Sequence, residues 1–148
     1  MTRSEVLNEV KKYFKIQELV CPDVYKRFGE SAWRFLDTNL LHGLLLIRRD
    51  ILKTPITVNN GSSFTQRGLR CNRCQLVRTK TTPYLSAHVL GKGIDFDAKG
   101  YTAAQSREKI KANIDLFPFP IRLEDGVNWV HFDVIDMENG QKLTLFTA

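Results

Sequence analysis

Apolar residues in the first third of the chain recur every three or four positions, the spacing that places them on one face of an α-helix. Thr2 and Glu5 have the spacing of a capping box, which predicts that a first helix begins there. A second and longer helix is predicted over residues 31–52, where apolar residues keep the helical spacing. Pro55 prevents this helix from continuing further. The apolar positions that predict these two helices are Val6, Leu7, Val10, Phe14, Trp33, Leu36, Leu40, Leu44, Ile47 and Ile51.

The later part of the chain contains short β-branched and alternating segments, which predict strands. These segments lie at residues 56–58, 93–96, 121–123, 128–135 and 142–146. The capping box of Thr102 and Gln105 predicts one more helix, and a turn at residues 138–140 is predicted to join the last two strands. Helices come mostly first and strands mostly later, so we predict an α+β fold with helices packed on one antiparallel sheet.

One irregular stretch, residues 59–90, separates the helical part from most of the strands and contains Gly68 and Pro83. It is long for a loop inside a compact domain, and long ordered loops usually carry function. No internal repeat or low-complexity linker interrupts the chain, so we interpret residues 1–148 as a single domain.

Composition narrows the class of protein. The chain has 148 residues, of which 43% are hydrophobic and 26% charged, as is usual for a soluble globular protein. The longest apolar run, residues 44–47, is followed by Arg48 and Arg49, so no membrane-spanning segment is predicted. The first residues lack the uninterrupted apolar segment of a secretion signal, and we therefore expect the protein to be cytoplasmic at synthesis.

Basic residues outnumber acidic ones by 22 to 16, and the excess is concentrated in one part of the sequence. No carboxylate occurs between Asp50 and Asp95, whereas several basic residues do. These residues, called the basic stretch below, are Lys53, Arg67, Arg70, Arg73, Arg78, Lys80 and Lys92. Such a stretch is typical either of a solvated surface or of binding to an anionic partner, such as nucleic acid or a substrate rich in carboxylates.

The three cysteines cannot all pair with one another, which argues against a disulfide framework. Cys71 and Cys74 form a CxxC motif, and Cys21 lies far from them in the sequence. A lone CxxC is compatible with half of a metal site, with a redox pair or with two ordinary thiols, and the sequence leaves these three interpretations open.

Two short segments, residues 86–97 and 129–133, carry most of the candidate chemistry. The first contains His88 and Asp95, and the second contains His131. Two imidazoles and a carboxylate are the ligands of a catalytic zinc site, which keeps a fourth position open. The alternative is that these are ordinary polar residues on the surface of two strands.

Further carboxylates accompany the candidate ligands. Because side chains alternate between the two faces of a strand, Asp97 would share a face with Asp95, and Asp133 would share a face with His131. Both are placed to hold ligand imidazoles by hydrogen bonds. The remaining histidine, His42, lies within the longer predicted helix and is interpreted as a partly buried helix residue.

The two segments resemble the motifs of a known family. SAHVLGKGIDFD resembles the SxHxxGxAxD motif of the zinc D-Ala-D-Ala carboxypeptidase and L-alanyl-D-glutamate endopeptidase family, and WVHFD resembles its closing WxHxD element. Residues 14–21, and residues 56–60 followed by Arg67, are similar to the segments that precede the first motif in small, phage-type members. The resemblance covers nearly the whole chain.

Carried over position by position, the resemblance implies a zinc ion bound by His88, Asp95 and His131. It also implies an arginine that holds a substrate carboxylate or the polarised carbonyl, a role that a forked guanidinium suits. Arg67 is the first choice because of its distance from the preceding strand, and Arg70 is the close alternative.

The same motifs contain Ser86 and Trp129, which are expected to contact the substrate together with the arginine. Many members of the family carry a catalytic glutamate three residues before the last histidine. Asn128 occupies that position here, and an amide cannot act as a general base. Glu124 is the nearest carboxylate that could take this role, with Asp125 behind it.

The resemblance therefore implies zinc-dependent hydrolysis of a peptide bond in peptidoglycan stem or cross-bridge peptides. The enzyme would be a monomer that binds no nucleic acid and does not associate stably with a membrane. It would be a phage or prophage lysin and would act on the cell wall. Two other interpretations remain. Asn128 favours a non-catalytic zinc-binding module on the same fold. The basic stretch with its CxxC motif favours a nucleic-acid-binding domain, although no aromatic residues alternate with the arginines of that stretch.

Overall fold

A computed structural model describes residues 1–148 of the chain and contains five α-helices and five strands. The helices are α1 (Arg3–Val10), α2 (Pro22–Phe28), α3 (Thr38–Leu45), α4 (Gln75–Arg78) and α5 (Ala103–Ala112). The strands are β1 (Ile56–Thr57), β2 (Gly93–Ala98), β3 (Ile121–Glu124), β4 (Val130–Asp133) and β5 (Leu143–Phe146). These elements confirm the predicted α+β class. None of the helices is both long enough and apolar enough to cross a membrane.

The five strands form one sheet in the order β1-β2-β4-β3-β5. All neighbouring pairs are antiparallel except β3 and β5, which are parallel, so the prediction of an antiparallel sheet is wrong at one edge. The reason is that β4 pairs with β2 on one side and with β3 on the other. The turn at residues 138–140 therefore cannot close a hairpin between β4 and β5, and β5 extends along the free edge of β3 instead.

The long helix predicted over residues 31–52 is divided at Asp37. The carboxylate of Asp37 accepts hydrogen bonds from the backbone N–H groups of Asn39 and Leu40 and so caps the start of α3. A 3₁₀ segment, Gly29–Phe35, precedes the cap, and a π-helical segment, Leu46–Ile51, continues α3. The predicted helix start is therefore wrong, although every apolar position assigned to this helix is buried.

Two local signals are confirmed at helix starts. Thr2 with Glu5, and Thr102 with Gln105, form reciprocal capping boxes at α1 and α5. Two further 3₁₀ segments lie at Ile16–Glu18 and Ile114–Leu116. The stretch at residues 59–90 is irregular apart from α4, as predicted.

The two faces of the sheet have different chemistry. Ile94 and Phe96 of β2 and Phe132 of β4 are buried in the apolar core that the helices cover. Helix α3 approaches this face closely at Gly43, where a Cβ atom would overlap the ring of Phe132. Because side chains alternate along a strand, the residues between these apolar ones project from the opposite face. That face carries the candidate site.

Candidate metal centre

His88 lies in a turn at residues 87–90, shortly before β2. Its Nδ1 atom is 3.0 Å from the backbone carbonyl oxygen of Gly68, which accepts the ring N–H. The other ring nitrogen, Nε2, lies 3.2 Å from Oδ2 of Asp95. Gly91 ends the turn with a φ of 68°, where any side chain would also meet neighbouring backbone.

Asp95 and His131 face each other across the antiparallel pair of β2 and β4. Oδ1 of Asp95 lies 2.8 Å from Nδ1 of His131. Both side chains are buried although both are polar, because the loop and the end of the chain cover this face of the sheet. The backbone N–H of Asp95 donates to the carbonyl oxygen of Arg67 at 2.7 Å, which ties the strand to the loop.

Asp133 holds His131 from the side away from Asp95. Its Oδ2 atom lies 2.7 Å from Nε2 of His131, and the guanidinium of Arg122 donates to both carboxylate oxygens at 2.8 and 2.9 Å. Asp133 is completely buried. A carboxylate on one imidazole nitrogen fixes the orientation of the ring and raises the basicity of the other nitrogen, as in many metal sites.

The site contains three donor groups that converge on one point. One ring nitrogen each of His88 and His131 and a carboxylate oxygen of Asp95 all lie within 4.8 Å of one another. Two ligands of a tetrahedral zinc ion, bound at about 2.0–2.1 Å, are themselves separated by roughly 3.3 Å. His131 lies 2.8 Å from Oδ1 of Asp95 and His88 lies 3.2 Å from its Oδ2, and the convergence of the three groups means that they could hold a metal ion. His42 is partly buried edge-on against Phe119 and contributes nothing to the group.

Hydrogen bonds within the site stabilise the charged forms of Asp95 and His131. Burial disfavours the charged form of Asp95, but hydrogen bonds from His131 and His88 outweigh it and hold the pKa of this carboxyl well below its usual range. Burial likewise opposes protonation of His131, yet hydrogen bonds to Asp133 and Asp95 raise the pKa of His131 to about 9. A metal ion that binds Nδ1 of this ring must therefore displace a proton.

The pKa of Asp133 is also shifted. Burial acts to raise it, but the hydrogen bonds from His131 and Arg122 prevail and lower the pKa of this carboxyl. The ionised carboxylate thus stays available as a hydrogen-bond acceptor for the imidazole.

A cleft of about 340 Å³ opens over the three donor groups. Residues predicted to contact the substrate or to act in catalysis line it, namely Arg70, Ser86, Glu124 and Trp129. It is also lined by residues that sequence reasoning missed, namely Tyr84, Arg122, Phe146 and Ala148. Arg122 could have been found, since it lies two residues before Glu124 in a strand and so shares its face. The contribution of the end of β5 depends on the parallel pairing with β3 and has no local signal.

Glu124 is the last residue of β3 and is buried. Its carboxylate lines the cleft but forms no hydrogen bond and no ion pair with the rest of the protein. Asp125, which follows it, points elsewhere and lies 3.7 Å from Nε of Arg107. Asn128 is exposed and does not line the cleft. The carboxylate available at the cleft is therefore that of Glu124.

The structure separates the two candidate arginines. The guanidinium of Arg67 lies 2.8 Å from Oδ2 of Asp97 and covers the ring of Phe64, outside the cleft. Arg70 lines the cleft, with its Nε donating to a backbone carbonyl at 2.6 Å and its terminal nitrogen 3.6 Å from Oδ2 of Asp95. Asp97 is likewise engaged with Arg67 and contacts neither His88 nor His131, which corrects its predicted supporting role.

A second group of donor atoms lies outside the cleft. The sulfur atoms of Cys21, Cys71 and Cys74 lie within 4.8 Å of one another, so this group could also hold a metal ion. Sequence spacing suggested the pair at 71 and 74 but not the contribution of Cys21. The latter comes from the tertiary fold, which brings the segment before α2 beside the basic stretch.

No protein-family model, no curated protein and no solved structure matches this chain. What the site does must therefore be inferred from its own residues and their geometry, together with the motif resemblance described above.

Proposed function

We propose that the protein is a zinc-dependent peptidase that hydrolyses an amide bond in the peptide part of peptidoglycan. The observation that carries this proposal is the position of an unpaired buried carboxylate, Glu124, in the same cleft as the three converging donors His88, Asp95 and His131. The Glu124 oxygens face the cleft and form no hydrogen bond or ion pair with the protein, so the carboxylate is available to water or to a ligand that enters the cleft.

The residues have distinct roles in this reaction. His88, Asp95 and His131 would hold the metal, and the zinc ion would supply Lewis-acid chemistry that polarises the scissile carbonyl and favours ionisation of water. Glu124 accepts a proton from the water that attacks the carbonyl carbon. It then donates that proton to the amide nitrogen as the carbon–nitrogen bond breaks, leaving a carboxylate and an amine.

Arg70 and Arg122 supply positive charge at the walls of the cleft. Arg70 lines the cleft and is held by its hydrogen bond to the carbonyl of Gln66, with one terminal nitrogen 3.6 Å from Oδ2 of Asp95. A guanidinium placed in this way suits a free carboxylate on the substrate or the developing oxyanion. Peptidoglycan peptides carry such carboxylates, which supports them as the substrate class.

A second candidate function is a metal-binding module that binds wall peptides without cleaving them. The observation that favours it is Asn128, an exposed amide at the position where many members of the resembling family carry glutamate. In that case Glu124 would serve only to bind a cationic group of the ligand.

Incubation of the purified protein with purified cell walls separates the two functions. Release of new amino groups, identified by mass spectrometry of the soluble fragments, is expected from the zinc-loaded protein. It should cease with a chelator and return on addition of zinc. Binding to the walls without release of amines would support the module, and neither binding nor release from any wall type would refute both.

A further inference from the structure

The segment before α2 and the loop that contains the CxxC motif are joined by their backbones. The N–H of Cys21 donates to the carbonyl oxygen of Leu69 at 2.9 Å, and the N–H of Leu69 donates to that of Leu19 at 2.9 Å. The N–H of Cys74 donates to the carbonyl of Cys71 at 3.1 Å, closing a tight turn. The turn places both of its thiols beside the thiol of Cys21.

The environment of the three thiols is unusual for ordinary cysteines. Cys21 is 1% and Cys74 is 7% exposed, whereas Cys71 is partly exposed. The Sγ atoms of Cys21 and Cys71 are 3.5 Å apart, and no stronger hydrogen-bonding group is supplied to the cluster by a side chain. Three sulfur atoms packed together in this way form a donor set for a soft metal ion.

We propose that Cys21, Cys71 and Cys74 bind a second metal ion, zinc, in a site separate from the cleft. Three thiolates are preferred ligands of zinc, and the partly exposed side of Cys71 leaves a fourth position to solvent.

The proposed ion would hold the loop against the candidate catalytic site. Between Cys21 and Cys71 lie Gly68, whose carbonyl oxygen accepts the N–H of His88, and Arg70, whose own N–H donates to the backbone carbonyl of His88 at 3.2 Å. A metal that ties Cys71 and Cys74 to Cys21 therefore restrains both contacts. Hydrogen exchange at the amides of Leu69 and Arg70 should be slower with the ion than without it.

The experiment counts metal in a variant that lacks the cleft site. The double variant His88→Ala/His131→Ala, loaded with zinc and freed of excess, should retain one zinc per chain. Adding Cys71→Ser should remove that zinc, whereas adding Asn72→Ala should not, because Asn72 is exposed and forms no side-chain hydrogen bond. Cobalt in place of zinc should give sulfur-to-cobalt charge-transfer absorption in the double variant and in its Asn72→Ala form. The Cys71→Ser form should show no such absorption. In the wild type, Cys71→Ser should lower the zinc content from two to one.

Other outcomes overturn the proposal. A folded double variant that binds no zinc, with its three thiols open to alkylation at the same rate with and without added metal, would show that the cysteines are ordinary thiols. A Cys21–Cys71 disulfide in freshly prepared protein would show a redox pair instead. If the double variant does not fold, the zinc content of the wild type is compared with that of Cys71→Ser. Equal zinc contents would overturn the proposal. Neither result affects the proposed function, which depends on the metal at His88, Asp95 and His131.

Discussion

Asp95 and His131 lie directly opposite each other on β2 and β4, with Oδ1 of Asp95 2.8 Å from Nδ1 of His131. The pairing depends on strand register, because a shift of either strand by one residue would turn its side chain into the apolar core. Two of the three donors are thus placed by the sheet itself. The third, His88, is placed by a turn whose Ala87 carbonyl accepts the N–H of Lys92 at 2.9 Å.

The carboxylate behind His131 should tune the affinity of the site for metal. We expect Asp133→Asn to weaken zinc binding by about 10–100-fold, because the ring loses a charged hydrogen-bond acceptor and its orientation is less well fixed. Asp97→Asn is the matched control and should bind zinc as the wild type does, since Asp97 contacts Arg67 and neither histidine. Competition with a chromophoric chelator measures both affinities. Equal weakening in the two variants would contradict the assigned contacts.

The two arginines should respond differently to a change that keeps the charge. Arg70→Lys is expected to lower kcat/KM at least roughly tenfold, since one charge-assisted hydrogen bond is worth about 1.5–3 kcal/mol and an ammonium cannot reproduce the fork. Arg67→Lys should leave kcat/KM nearly unchanged, because Arg67 lies outside the cleft. Steady-state kinetics on a soluble wall peptide test this. The opposite result would place the substrate on the Arg67 side of the loop.

Glu124 is the residue on which catalysis should depend most directly. Replacing it with glutamine keeps its shape but removes the proton acceptor, so Glu124→Gln should lower kcat by about 10²–10⁴-fold. Asp125→Asn should have little effect, because Asp125 points away from the cleft. Zinc content and the unfolding midpoint should be unchanged in both. Full activity of Glu124→Gln would exclude it as the general base.

Stability should depend on pH through Asp37, which caps α3 and lies 2.8 Å from Nζ of Lys92. Burial acts to raise its pKa, but the hydrogen bond from Lys92 and those from backbone N–H groups prevail and lower the pKa below the ordinary value of 3.8. The stabilisation is therefore complete above the unfolded-state pKa and is lost as the pH falls through the folded-state pKa.

Asp37→Ala should lose about 0.5–2 kcal/mol at neutral pH, the usual cost of removing a helix cap. Asp37→Asn keeps an oxygen acceptor for the cap and loses only the charge that faces Lys92, so its loss should be smaller. Urea unfolding of the three proteins in steps from neutral pH into acid measures this. The difference between wild type and Asp37→Asn should shrink on acidification, and a constant difference would show that ionisation of Asp37 contributes nothing.

Much of this protein follows from local sequence. The reciprocal capping boxes at Thr2 and Thr102 involve groups three residues apart, so their formation needs no tertiary contact. The alternation of polar and apolar residues around Asp95 and His131 likewise assigned each side chain to a face of its strand, as the structure has them. The spacing of the apolar residues placed the buried face of α3, although not its first residue.

What the sequence alone left open depends on contacts between distant segments. The parallel pairing of β5 with β3 arises because β4 has no free edge, and that order of strands has no local signature. The position of Arg70 rather than Arg67 in the cleft follows from the ion pair of Arg67 with Asp97 on β2. Cys21 joins Cys71 and Cys74 only through the backbone pairing of Leu69 with the segment before α2. Local sequence sets which face a side chain occupies, whereas its neighbours there are set by the chain that folds against it.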